Sequence, residues 1–474
     1  MIPTTCALLT SLALASSDPA TTQPTQPGLS FGRFGSLTLY QPIGTPTSVV
    51  LFASGDGGWN LGVVGMAERL RARGAVVVGF DVRSYLRAAA IASKCTYAAA
   101  DFEALSQYVQ HQLGVDRYLP PVLVGYSSGA TLVYVALAQS PPNTFKGGLS
   151  LGFCPDLPGK GGWCPGSAGL QATPLARNNG WTFQPAERLP APWIVLQGND
   201  DQACSPTLAA EFVSHMKLAE IVRLPKVGHG FGVEGRWDTA LDQAFQRIVT
   251  APDPNPAPAP GPVSDLPLIE VAAPAGLPPG DLLAIMFSGD GGWAGIDREV
   301  SQTLAARGIP VVGLNSLQYF WKARTREELG RDLNRILGHY LQQWRRERVL
   351  LLGYSFGADV MPFAIAELPA AMRSRVAGVG LLGLGQTASF EFHVGDWIGR
   401  SSRAGYPTWP ALEKLPGLVG GAPVVCLFGA EETDTGCRAN QGIVMVRLPG
   451  GHHFGGDIRG VADRLLSLLE AGRR

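Results

Sequence analysis

The chain has 474 residues, of which 46% are hydrophobic and only 16% charged. That is core material for two or three domains and excludes a disordered chain. Its 38 basic and 38 acidic side chains cancel, so nothing favours a nucleic-acid partner, which wants a basic face.

In chain order, an apolar run from Cys6 to Ala15 comes first, without a positive n-region before it, and ends in Ala13-Leu14-Ala15. It suits a signal-peptidase site and is too short to span a bilayer. The expectation is a soluble, exported protein of the periplasm. Residues 16–28 read as a polar, proline-rich tether, so 1–28 form a leader and tether. From residue 29 to 250, short apolar strands are expected at Ser48–Ala53, Ala75–Phe80, Pro121–Gly125, Gly147–Gly152 and Pro192–Gln197. Helical patterns lie between them, at Tyr97–Leu113 and Ala130–Gln139. Proline then stands at nearly every other position from Ala251 to Pro262. Such a stretch forms a semi-rigid polyproline spacer, and the linker is placed at 251–265.

The second half, 266–474, repeats the plan. Strands are expected at Leu282–Ser288, Pro310–Leu314, Arg348–Gly353, Val376–Leu382 and Pro423–Phe428, and helices at Arg326–Gln343 and Gly357–Leu368. Runs of Val and Leu that do not alternate with polar residues mean strands buried on both faces. The fold class is therefore α/β: two tandem domains, each a mostly parallel sheet flanked by helices, which the motifs below make α/β-hydrolase-like.

Motifs repeat with the strands. Ser54-Gly55-Asp56-Gly57-Gly58-Trp59 recurs as Ser288-Gly289-Asp290-Gly291-Gly292-Trp293, and Arg73-Gly74 as Arg307-Gly308 at the same offset of 234 residues. Gly125-Tyr126-Ser127-Ser128-Gly129 and Gly353-Tyr354-Ser355-Phe356-Gly357 are two nucleophile elbows, each between a strand and a helix. The flanking glycines admit the sharp turn on which such a serine stands.

An acid after a later strand and then a histidine complete the order this fold requires. Counting from the strand-ending glycine selects Asp201 and Glu432, with Asp434 as a rival to Glu432. Gly-His-x-Phe-Gly selects His229 and His452. The histidine would take the serine proton and return it to the leaving group, while the acid fixes the imidazole. Backbone N–H groups of Ser128 and Phe356 would face the oxyanion. The second donor would come from the glycine-rich loop at Gly55 or Gly289. No Gly-Lys-Ser/Thr follows these loops, so they are not phosphate cradles of the P-loop kind. No cofactor and no metal is called for.

Six cysteines remain beyond the leader, four in the first half and two in the second, with no Cys-x-x-Cys. In an exported chain they read as disulfides. Cys426–Cys437 is then forced; among the three pairings open to the first half, Cys154–Cys164 with Cys95–Cys204 is favoured.

The second half resembles the bacterial virulence protein family VirJ/AcvB. The resemblance rests on Phe287–Trp293, Ser316–Thr325, Gly353–Asp359, Gly429–Cys437 and Gly451–Asp457. It implies a periplasmic α/β-hydrolase with Ser355 as nucleophile and, in AcvB-like members, hydrolysis of the aminoacyl ester of lysyl-phosphatidylglycerol. The first half departs from the pattern: Ser128 replaces the elbow Phe, Thr131 replaces Asp, and Tyr85-Leu86-Arg87 replaces Tyr-Phe-Trp.

For such a substrate, Asp290, Asp359 or the spare acid within 431–434 would pair with ammonium groups, and Lys322, Arg324 and Arg326 would hold phosphate. The expected partner is a lipid headgroup or another ester, at a membrane surface. The rival readings are a generic esterase or thioesterase, and a periplasmic binding or scaffold protein that supports secretion-system proteins.

Overall fold

The computed structural model describes residues 29–91, 95–176, 179–252, 261–277, 280–392 and 405–471. The expected leader and tether, and most of the proline-rich linker, lie outside them.

Two separate sheets carry the chain. The first has eight strands, in the order Ser30–Phe31, Gly35–Tyr40, Ala75–Phe80, Ser48–Ala53, Val122–Tyr126, Gly147–Leu151, Arg188–Gly198 and Lys217–Leu224. The second has seven, in the order Leu268–Val271, Val311–Leu314, Leu282–Phe287, Arg348–Tyr354, Val376–Leu382, Val424–Gly429 and Ile443–Leu448. Pairing is parallel from the third strand onward in the first sheet and from the second onward in the other. Antiparallel strands close one edge of each. These edge strands lack the long apolar runs of the inner ones, and the sequence reading did not place them.

The inner strands are apolar on both faces because both faces are covered. Every residue of Ser48–Ala53, Ala75–Phe80 and Val376–Leu382 is buried. Each sheet accordingly has two cores, one per face. The helix Arg326–Gln343 shows how a covering element is specified. A capping box between Thr325 and Glu328 starts it. Leu329, Leu333, Ile336, Leu337 and Tyr340 then fall on one buried stripe.

Among the described residues three disulfides are formed, and two correct the favoured pairing: Cys95–Cys164, Cys154–Cys204 and Cys426–Cys437. Cys154 and Cys164 are near in sequence but diverge in space. Gly162–Trp163 pairs with Cys95–Thr96 and carries Cys164 to Cys95. Cys154 follows the strand Gly147–Leu151, which lies beside Arg188–Gly198, and so meets Cys204. Among the described residues, no helix is long and apolar enough to cross a membrane.

The two domains stack head to tail. Ser48, Val122 and Pro192, at or near the starts of first-domain strands, share a cavity with Gly291–Trp293 and Asn315–Gln318, which follow strand ends in the second. Trp321 Nε1 donates to the Val115 carbonyl at 2.6 Å, Gln318 Nε2 to the Tyr118 carbonyl at 2.8 Å, and Asn143 Nδ2 to the Trp293 carbonyl at 3.1 Å. Tyr118, Leu317, Trp321 and Phe392 form a small apolar core of their own across the boundary. The first domain thus lies over loops beside the second domain's site.

Candidate active sites

Each elbow serine ends a buried strand and caps a helix. Ser127 has φ 56° and Ser355 has φ 52°, a left-handed conformation unusual for a residue with a side chain. The flanking glycines are there for space. A Cβ on Gly125 would sit 2.1 Å from the Gly129 carbonyl oxygen, and one on Gly129 would sit 2.3 Å from that of Ala53. The equivalent clashes at Gly353 and Gly357 are 2.5 Å from the Gly357 oxygen and 2.2 Å from the Phe287 oxygen. Strand, elbow and helix therefore touch backbone to backbone, which holds the serine rigidly above the sheet.

Both sites bring serine, histidine and acid together. In the first, His229 Nε2 lies 2.9 Å from Ser127 Oγ and Nδ1 lies 2.9 Å from Asp201 Oδ2. Asp201 is buried and accepts further bonds from the Ala203 and Cys204 amides and from Gln197 Nε2. In the second, His452 Nε2 lies 2.8 Å from Ser355 Oγ and Nδ1 lies 3.2 Å from Glu432 Oε1. The Gly429 amide also donates to Glu432 Oε1 at 3.3 Å. Glu432, not Asp434, is the acid in contact with the histidine. The tight turn after Gly429 aims residue 432 at the ring, whereas the charge of Asp434 acts on Asp359.

The loops expected to supply the second oxyanion donor lie against the nucleophiles. A Cβ on Gly55 would be 3.0 Å from Ser127 Cβ, and one on Gly289 would be 3.6 Å from Ser355 Cβ. Ser128 and Phe356 open their helices, where the first N–H groups have no intrahelical acceptor and point at incoming negative charge. The buried Asp297 carboxyl lies near the amides of Gly289 and Ala294. Burial pushes the Asp297 carboxyl far above the usual carboxylate range.

The substrate-facing acids differ between the two sites. Asp290 and Asp434 lie close enough to Asp359 for their charges to act on it. Burial raises the Asp359 carboxyl well above its ordinary pKa, and the Gly385 amide donates to it at 2.7 Å. In the first site, Asp56 accepts from Ser128 Oγ at 2.8 Å, and Thr131 at the Asp359 position donates to the Cys154 carbonyl. The second pocket is the more acidic.

The basic residues proposed to hold phosphate are placed otherwise. Lys322 pairs with Asp116 of the first domain at 2.7 Å. Arg324 donates to the Tyr319 carbonyl and lies over its ring. Arg326 stacks on Tyr406 with 3.9 Å to the ring centroid. The structure does not bring the three together on one anion.

Three positions escaped the sequence reading. Gly152 and Gly383, both at φ 63°, pack against the catalytic imidazoles, with would-be Cβ atoms 3.3 and 2.8 Å from Cε1 of His229 and His452. A glycine just past the same strand in both halves was the available signal. The third is Asp297, an acid at the place where the repeat has Val63.

The model of the family described as bacterial virulence protein (VirJ) matches residues 47–147 and 281–473, more than half of the chain. No curated protein matches. Among solved structures, the esterase domain of a Rhodothermus marinus protein is similar at 17% identity, covering 45% of this chain and 91% of that one, with a TM-score of 0.31. A lidless a/b serine hydrolase from Xanthomonas campestris is similar at 22% identity, covering 47% and 94%, with a TM-score of 0.31. Est1E from Butyrivibrio proteoclasticus is similar at 12% identity, covering 45% and 93%, with a TM-score of 0.30. With its elbows, its repeated glycine-rich loops and this match across both halves, the chain belongs to the bacterial virulence protein (VirJ) family.

Proposed function

We propose that the protein is a serine hydrolase that cleaves a carboxylic ester at Ser355, and that the ester is the aminoacyl ester of lysyl-phosphatidylglycerol in the periplasm. The observation that carries the hydrolase reading is the unbroken Ser355–His452–Glu432 hydrogen-bonded chain beneath a helix N-terminus. His452 Nε2 takes the Ser355 proton as Oγ attacks the ester carbonyl. The Phe356 amide and the main chain of the Gly289 loop receive the oxyanion. His452 returns the proton to the departing alcohol oxygen. A water, deprotonated by the same ring, then releases the acid and restores Ser355.

Asp290 and Asp434, whose charges reach the buried Asp359 of the elbow helix, support a substrate with cationic groups beside the scissile bond. Three disulfides favour an oxidising compartment. The first domain holds an equally complete triad at Ser127, which supports a second hydrolytic centre for a less cationic ester.

A fluorophosphonate probe separates enzyme from scaffold. Intact-mass analysis of the full chain should show two adducts, and one each in Ser127→Ala and Ser355→Ala. A chain that takes up no probe would leave only the scaffold reading.

A further inference from the structure

The glycine-rich loop Ser288–Trp293 beside Ser355 is held differently from its counterpart Ser54–Trp59. In the first domain the loop is braced by its own chain. Asn60 Nδ2 donates to the Gly57 carbonyl at 3.2 Å. Arg83, paired with Asp81 at 2.6 Å, packs on Gly58, where a Cβ would meet its guanidinium. At the offset of 234 residues the second domain has Ala294 and Leu317 in place of Asn60 and Arg83. Neither side chain can donate a hydrogen bond.

Here the first domain takes over the bracing. Asn143 Nδ2 donates to the Trp293 carbonyl, at the end of the loop, at 3.1 Å. Gln318 and Trp321 donate to the Tyr118 and Val115 carbonyls and so fix the short helix Ser316–Tyr319. Ser316 in turn holds the start of the loop. Its amide donates to Ser288 Oγ at 2.9 Å and its hydroxyl to the Ser288 carbonyl at 2.6 Å. Over the middle lies Glu103, buried on the helix Ala98–Gln112 and on the cavity between the domains. A Cβ on Gly291 would be 3.6 Å from its Oε1. Start, middle and end of the loop thus each meet the first domain or an element tied to it. The arm that carries Asn143 is stiff. It continues the first elbow helix, Ser128–Gln139, which is buried along its whole length, through Pro141 and Pro142. Asn143 itself stands at φ 75°, a conformation that asparagine accepts more readily than most side chains.

We propose that Asn143 of the first domain is a positioning residue for the reaction at Ser355: it clamps the second domain's glycine-rich loop so that the loop's main chain meets the developing oxyanion. A donor moved off the oxyanion weakens the transition state and leaves the bound ester alone. Loss of the clamp therefore lowers kcat and kcat/KM together and leaves KM in place. The first site, whose loop has its own braces, is independent of it. The proposal rests on the hydrolase reading for its effect on rate, but not for the hold on the loop.

The test uses the full chain and two variants. Asn143→Gly keeps the left-handed backbone without steric cost and removes the donor. Asn143→Asp keeps the shape but turns a carboxylate toward the Trp293 carbonyl. Amide hydrogen exchange, read by mass spectrometry, should quicken at least about fivefold across residues 288–293 in both variants, while residues 54–59 exchange as in the parent. In the Ser127→Ala background only Ser355 turns over p-nitrophenyl butyrate. There kcat should fall at least about tenfold, further in Asn143→Asp than in Asn143→Gly, with KM changed by less than about twofold. Unchanged exchange at 288–293, exchange that quickens equally at 54–59, or an unaltered kcat would each overturn the proposal. If the parent turns over no ester, exchange that quickens at 288–293 alone upholds the clamp while the hydrolase reading falls, and unchanged exchange overturns the clamp.

Discussion

Glu103 also makes a prediction about stability. Burial, then the charge of Asp290, pushes its carboxyl from the ordinary 4.5 up to about 8. The groups facing it are Asp290, Tyr97 and Tyr118, with Arg117 and Lys146 on the same cavity. In the folded chain Glu103 is protonated at neutral pH, whereas in the unfolded chain it is ionised above about 4.5. Between those values the native state binds more protons, so stability falls as pH rises. The rise from 4.5 to about 8 corresponds to about 5 kcal/mol, complete only above pH 8. That is an upper limit, because separating the domains relieves the charge pair without unfolding either. Glu103→Gln cannot ionise. It should match the parent near pH 4 and exceed it increasingly toward pH 9, by up to about 10 °C in Tm for a domain of this size. Calorimetric melts of both proteins from pH 4 to 9 test this. A Tm difference independent of pH would refute the account of Glu103 as a buried, protonated acid.

Other perturbations read other parts of the structure. Gly357→Ala drives a methyl to 2.2 Å from the Phe287 carbonyl and should cost at least about 3 kcal/mol in denaturant unfolding. Trp321→Ala removes a side chain that is 4% exposed, along with its bond to Val115. It should loosen domain docking by about 3 kcal/mol or more, seen as faster proteolysis between the domains and a larger radius in X-ray scattering. The Cys426–Cys437 bond encloses Glu432. Paired Cys426→Ser and Cys437→Ser changes should lower stability by about 3 kcal/mol and reduce turnover at Ser355 by more than about tenfold, with Ser127 labelling unaffected.

Much of this architecture is legible from residue order. Unalternating apolar runs identify buried parallel strands, and Val376–Leu382 and Arg326–Gln343 carry the expected bounds. Ser127, Asp201 and His229, like Ser355, Glu432 and His452, follow the chain order that the sheet topology demands. What is not legible is whatever depends on distant neighbours. The pairing of Cys95 with Cys164 follows from a two-residue strand pairing. Glu103 reads as one more helix-face acid until the second domain docks on it. Lys322, Arg324 and Arg326 look like an anion site in sequence, but the docking partner Asp116 and the rings of Tyr319 and Tyr406 claim them. Choosing Glu432 over Asp434 requires the turn geometry after Gly429.

The most direct measurement incubates the full chain, Ser127→Ala and Ser355→Ala with lysyl-phosphatidylglycerol and follows free lysine. Release by the parent and by Ser127→Ala, with none from Ser355→Ala, is the predicted result. Absence of release by the parent, or release that survives Ser355→Ala, would contradict the assignment of this ester to the second site.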